Sequence, residues 1–202
     1  MPRKKRTTED KIIQAAWKLF HQNGYEETTV DEIIAASGTS KGSFYYYFRS
    51  KEALLNTLSA FFDEQYREIS EKMDSALSAR DKLLRANHAL FHMIETEIDI
   101  QLLASLYASQ LTTESDRSLL DHKRYYFSWL RETISAGLKS GEFANTSTLL
   151  ELVHLYALYE RAMIYDWVLY GGSYSLTDYS AMLLPLLLER FQRGISKDSM
   201  SV

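Results

Sequence analysis

The chain has 202 residues, 46% of them hydrophobic, with a net charge of −4, no cysteine and only two prolines, Pro2 and Pro185. This length suits one large domain or a small domain joined to a larger one. The absence of cysteine excludes a disulfide framework and thiolate chemistry. No window holds roughly 18 apolar residues without charges, so no membrane span is expected. The opening PRKKR is not followed by an apolar stretch, so it does not read as a secretory signal. A cytoplasmic protein with no membrane partner is the expectation.

The proline-free run from 3 to 184 argues for helices throughout, and most glycines fall where helical patterns stop: Gly24, Gly38, Gly141, Gly171, Gly172 and Gly194. Residues 1–52 carry nine Lys/Arg against seven Asp/Glu, whereas the rest carries fourteen against twenty. Positive charge therefore collects at one end, in Arg3, Lys4, Lys5 and Arg6 and in Lys41, Arg49 and Lys51. That is the footprint of a nucleic-acid reader joined to an acidic second domain. The PRKKR run reads equally as an arm along the phosphates or minor groove and as a solvated tail.

Residues 28–52, TTVDEIIAASGTSKGSFYYYFRSKE, hold the densest information. Thr29 and Glu32 form a capping box, so a helix begins at Val30. Val30, Ile33, Ile34 and Ser37 make its apolar stripe, and Gly38 supplies the left-handed residue that ends it. Thr39 or Ser40 caps a second helix. Phe44 and Phe48 share its buried face, which leaves Lys41, Gly42, Tyr45 and Tyr46 outward and Ser43 and Tyr47 at the margins. One helix cannot bury four adjacent aromatics about 100° apart. Exposed tyrosines beside a lysine point to contact with a groove or with phosphates. Ser50 caps a third helix. The pattern is a helix-turn-helix.

The stretch GTSKGSFYYYFRSKEALL, residues 38–55, resembles the helix-turn-helix signature of TetR-family repressors. DKIIQAAWKLFHQNGY, residues 10–25, resembles that family's first helix. The specific likeness covers about residues 8–58. It implies DNA contacts at Thr29, Thr39, Ser40, Lys41, Gly42, Ser43, Tyr45, Tyr46, Tyr47 and Lys51. Tyr47 stands where the family commonly has histidine; a phenol there can contact phosphate but does not become cationic near neutral pH.

Helical periods continue beyond. Residues 51–78 read as one long helix through Leu54, Leu58, Phe61, Phe62 and Ile69. Further helices are predicted at 81–96, 99–112, 115–140, 147–170 and 176–194, with Asp99, Ser115 and Thr177 or Leu176 at their starts. The segment 115–140 would be about 39 Å long at ~1.5 Å per residue, a length that packs as an antiparallel bundle. The fold class is therefore all-α: an N-terminal three-helix helix-turn-helix domain and a larger helical bundle, about nine helices in all. The expected domains are 1–50, which reads DNA with its basic arm, then 51–195 for ligand and dimer, and a tail at 196–202.

The second part is rich in aromatics. Fourteen tyrosines in the chain are hard to bury without hydroxyl partners, which favours a cavity for water or ligand. The resemblance implies an inducer inside this bundle, aromatic or partly apolar, with Phe62, Tyr66, Phe91, Tyr107, Tyr126, Trp129, Tyr159 and Met163 as its candidate contacts. His88 and His92 stand i,i+4 with Glu95 nearby, a spacing that holds zinc. No further ligand accompanies them, so no metal or other cofactor is expected. AMIYDWVLY and its Gly-Gly turn resemble a recurring family pattern, and 182–191 is apolar nearly all round. A homodimer through Trp167, Leu183, Leu187 and Phe191 is the economical reading, and burial of this helix within one chain is the alternative.

The resemblance implies a ligand-responsive repressor that binds a pseudo-palindromic operator as a dimer. The competing readings are an enzyme with a helical scaffold and an architectural DNA-binding factor without inducer. The enzyme reading lacks G-x-S-x-G, H-E-x-x-H and any phosphate loop.

Overall fold

The structure is a computed structural model and describes residues 7–112 and 117–193. The basic run at 3–6, Ser115, Gly194 and the expected tail at 196–202 lie outside the described residues. Among the described residues there are ten α-helices, one 3₁₀ turn and no strand, so the chain is all-α as expected. It forms two compact units, 1–61 with 99–120, and 62–98 with 121–202.

In the first unit, α1 (Thr8–Asn23) starts at a capping box between Thr7 and Asp10. Its apolar line, Ile12, Ala16 and Phe20, is fully buried against α2 (Val30–Ser37) and α3 (Lys41–Tyr47). The expected caps are present. Thr29 and Glu32 bond reciprocally, Gly38 takes φ 63°, Ser40 Oγ accepts from Ser43 N, and Ser50 Oγ accepts from Ala53 N. Also in this unit is α7 (Ile100–Thr112), packed on α1 and on α4 (Lys51–Leu55). Asp99 caps α7 as expected, accepting from Gln101 N and Leu102 N.

The single helix expected over 51–78 is instead two, α4 and α5 (Thr57–Glu71), divided at Asn56. Side-chain bonds from distant parts of the first unit meet at the division. Asn56 Oδ1 accepts from Gln110 Nε2 at 3.3 Å and Ser118 Oγ at 2.9 Å, while Thr57 Oγ1 accepts from Trp17 Nε1 at 3.1 Å. Side chains of α1, α7 and the 3₁₀ turn (Ser118–Leu120) thus hold the chain at the division.

The second unit comprises α5 from Phe62 onward, α6 (Ala79–Glu97), α8 (Tyr125–Ser140), α9 (Leu149–Leu169) and α10 (Leu176–Arg193). Here α6 packs against α8 and α10, and α9 against both of those. The helix expected over 115–140 begins only at Tyr125. No side chain caps that start; instead Asp63 on α5 accepts Tyr126 N at 3.3 Å and pairs with Arg124 at 2.9 Å. Helix α10 runs through Pro185.

Candidate nucleic-acid interface and bundle interior

The surface of α3 follows from how the helix is anchored. Phe44 is fully buried and Phe48 nearly so, their rings 6.1 Å apart. That fixes the helix's rotation and turns Lys41, Gly42, Tyr45, Tyr46 and Tyr47 outward. Tyr46 is 81% exposed, Tyr45 49% and Tyr47 40%. Lys41 Nζ reaches Asp31 at 3.3 Å, with both groups largely in solvent, a pair worth little and easily exchanged for another anion. At Gly42 an added Cβ would meet only Ser40 Oγ, at 3.8 Å. The chain's own packing does not demand glycine there, so its small size suits close approach by something else.

The short polar residues sit at helix starts. Thr29 and Ser40 are spent as caps, Ser43 Oγ lies 2.9 Å from Ser40 Oγ, and Thr39 Oγ1 lies 2.7 Å from Ser37 Oγ. Lys51 is differently placed. Its ammonium donates to the carbonyls of Tyr25 at 2.7 Å and Glu26 at 3.1 Å, and lies 4.3 Å from the Tyr25 ring centre. It therefore ties the α1–α2 corner to the start of α4. Burial, with Glu52 and Glu26 nearby, pushes the Tyr25 phenol up to about 12.

The interior of the second unit gathers most of the expected pocket residues. Phe62, Tyr66, Phe91, Tyr126, Trp129 and Met163 are all buried, and the Tyr66 ring lies 4.8 Å from Tyr126 and 5.6 Å from Trp129. Tyr159 is half-buried, its hydroxyl 3.0 Å from Ser180 Oγ. Tyr107 is half-buried on α7, in the first unit.

At the centre is a residue that the sequence reading passed over, Glu160. It is 4% exposed. Its Oε2 accepts from Tyr66 and Tyr126, each at 2.7 Å, and its Oε1 from Asn87 Nδ2 at 2.9 Å. Asn87 Oδ1 in turn accepts from Ser180 Oγ at 2.6 Å. Burial pushes the Glu160 carboxyl up, against the lowering effect of the bonds from Tyr66, Asn87 and Tyr126. Spacing could have found it, since Glu160 shares the α9 face of Val153, Tyr156, Ala157 and Met163.

Beside this cluster a pocket of about 330 Å³ is lined by Trp129, Thr133, Ser70, Met73, Lys82 and Glu132 among others. A second cavity of about 360 Å³ lies between α6 and α10 and includes His88. His88 and His92 are exposed, and among the described residues there is no group of three metal-ligating side chains. Glu95 has another task. It accepts from Thr177 N at 3.1 Å and Thr177 Oγ1 at 2.7 Å, at the start of α10. Burial works its carboxyl upward, but the bonds from Thr177, Ser175 and Leu176 outweigh it and hold the group below the usual range.

Two of the residues expected between copies are consumed within the chain. Trp167 donates to Tyr174 O at 2.8 Å and is 4% exposed. Phe191 is 1% exposed and packs edge-on against Phe143 at 5.6 Å. Leu183 and Leu187 are half-buried. Leu150, Leu158, Tyr165 and Leu169 on α9, and Tyr179, Met182 and Leu186 on α10, are the large apolar side chains left in solvent there.

Residues 12–58 match the sequence profile of the family described as bacterial regulatory proteins, tetR family. The fatty acid metabolism regulator protein of Bacillus subtilis is 24% identical over 191 residues, 92% of this chain and 96% of that protein. HTH-type transcriptional regulator YhgD of the same organism is 26% identical over 164 residues, 77% and 82% of the two chains. Among solved structures, FadR from B. subtilis in complex with stearoyl-CoA superposes with a TM-score of 0.69 at 22% identity, over 92% of this chain and 98% of that one. FadR from Thermus thermophilus in complex with lauroyl-CoA gives 0.70 at 23% identity, over 95% and 97%. These structural likenesses are likenesses of fold. No helix among the described residues is long and apolar enough to cross a membrane.

Proposed function

The chain belongs, through residues 12–58, to the TetR family of bacterial regulatory proteins, and we propose that it is a ligand-responsive transcriptional repressor acting as a homodimer in the cytoplasm. The observation that carries this reading is α3: a helix locked by Phe44 and Phe48 that turns Lys41, Gly42 and three tyrosines to solvent. Two such helices, one per protomer, would enter successive major grooves of a pseudo-palindromic operator. Lys41 and the tyrosine hydroxyls reach phosphates or base edges, and Gly42 lets the backbone come close. Thr29, Thr39, Ser40 and Ser43 stand at the helix starts, where exchanging their present partners would let them bond phosphates. Lys51 serves by holding the α1–α2 corner.

The dimer forms through the exposed apolar side chains of α9 and α10. The effector is a small molecule taken into the second unit, where the aromatic residues converge. The relatives named as transcriptional regulators favour this over an enzyme. The test is selection of DNA by the purified protein from random fragments, followed by footprinting. An inverted repeat protected over two half-sites about one helical turn apart is expected. Enriched DNA without twofold symmetry would overturn the operator reading.

A further inference from the structure

A carboxylate on a surface that meets DNA is repelled by the phosphates unless a cation stands with it. Asp31, on α2, is such a group. Its Oδ1 accepts from Lys41 Nζ, on the outward face of α3, at 3.3 Å, and its side chain is 79% exposed. The neighbouring Glu32 is also exposed, but its carboxylate serves the capping box, where Oε2 accepts from Thr29 N at 2.7 Å and Thr29 Oγ1 at 2.8 Å. Asp31 has no such task. Among the described residues Lys41 is the only group bonded to its carboxylate, and Oδ2 is left to solvent. An ammonium carries three donors, so Lys41 can hold Oδ1 and reach a phosphate together. The carboxylate then arrives at the groove already screened.

We propose that Asp31 is a base-reading residue that selects cytosine at one position of each half-site, its open oxygen accepting from the cytosine N4 amino group while Lys41 holds the other. This rests on the reading of α3 as the helix that enters the major groove. The choice of base follows from what the base edges present there. Guanine offers N7 and O6 and thymine offers O4, all acceptors, and these repel a carboxylate that has no proton to give. Adenine has one donor, N6, but its N7 acceptor lies beside it and faces the second carboxylate oxygen. Cytosine alone shows a donor with no acceptor next to it, only the C5 hydrogen. Lys41 can only donate and Asp31 can only accept, whereas the tyrosine hydroxyls of α3 do both. The pair therefore gives this face a discrimination that the tyrosines do not supply.

In the experiment wild type, Asp31→Ala and Asp31→Asn, all as full chains, each select from a library of random DNA duplexes. Each is then titrated against the selected site with every base pair placed at each position in turn. Wild type should require cytosine at one position per half-site, by at least about fivefold over each other base. Asp31→Ala should bind all the bases there within about twofold, keep the preferences elsewhere, and hold unrelated DNA more tightly because a negative charge has gone. Asp31→Asn should move the preference from cytosine to adenine, since an amide pairs with adenine N6 and N7; a misfolded chain does not acquire a new preference. An Asp31→Ala protein that keeps the wild-type preference at every position overturns the inference and leaves the operator reading intact. So does a loss confined to a position where wild type prefers a base other than cytosine. If wild type selects no inverted repeat, the inference and the operator reading fall together.

Discussion

Gly137→Ala tests the packing of the second unit through two opposed effects. Gly137 lies within α8 and is buried. An added Cβ would stand 2.4 Å and 2.6 Å from two ring carbons of Phe143 and 2.9 Å from Ala79 Cβ. Alanine improves helix propensity by about 1 kcal/mol over glycine, so on local grounds the variant should gain. Overpacking a tight site costs roughly 1–3 kcal/mol, and here the neighbours have little room to yield. Phe143 N donates to Gly137 O at 3.0 Å, its ring is wedged against Phe191, and Ala79 N is held by Glu142 at 2.8 Å. The steric cost should therefore sit at the upper end and leave a net loss of about 1–2 kcal/mol. For a chain of this size that lowers the thermal midpoint by roughly 2–8 °C, read by circular dichroism. Adding Phe143→Leu to Gly137→Ala should cost less than the sum of the single changes, because the shorter side chain relieves the clash. A Gly137→Ala protein as stable as wild type, or strict additivity in the double variant, would refute the reasoning.

Lys41→Ala and Tyr46→Phe should each weaken operator binding in gel-shift titration while leaving the thermal midpoint nearly unchanged. Loss of one phosphate contact lowers the salt slope by about 0.9, and normal binding by both variants removes α3 from the interface. Leu186→Glu should give monomers in sedimentation without loss of helicity, whereas Phe191→Glu should destabilise the fold, since Phe191 is buried within one chain; an intact Leu186→Glu dimer moves the interface elsewhere. Glu160 supplies a pH signature. Its carboxyl is raised on folding, by burial above all, so its contribution to stability is complete below the unfolded carboxylate range and is lost as pH rises through the raised folded value. Over that window the wild-type midpoint should fall relative to Glu160→Gln, and parallel profiles would show that the group keeps an ordinary pKa.

What the sequence made legible was local. The capping box of Thr29 and Glu32, the glycine stop at Gly38 and the caps at Ser40, Ser50 and Asp99 each depend on neighbours within about four residues, and each is present. The outward face of α3 was legible for the same reason, because Phe44 and Phe48 leave its tyrosines no other place. What was hidden depends on partners far along the chain. At the division, Asn56 is bonded by Gln110 and Ser118, and no pattern within 51–78 announces it. Lys51 looked like a free cation because its acceptors are carbonyls more than twenty residues away. The grouping of α7, and with it Tyr107, with α1 and α4 likewise depends on partners distant in the chain. Phe191 belongs to an apolar run that two different surfaces would explain equally well, and only Phe143 decides between them.

The start of α6 carries a further consequence. Glu142, between α8 and α9, accepts from Ala79 N and Arg80 N, while Ser78 accepts from Asp81 N. Three amides of a first helical turn, ordinarily the first to fray, are thus held by side chains, two of them by a residue some sixty positions away. In hydrogen-exchange terms, residues 79 and 80 should exchange with the segment that follows α8 and not with the turn that precedes α6. Opening of that distant segment sets their rate, and the two stretches should report a single cooperative unit.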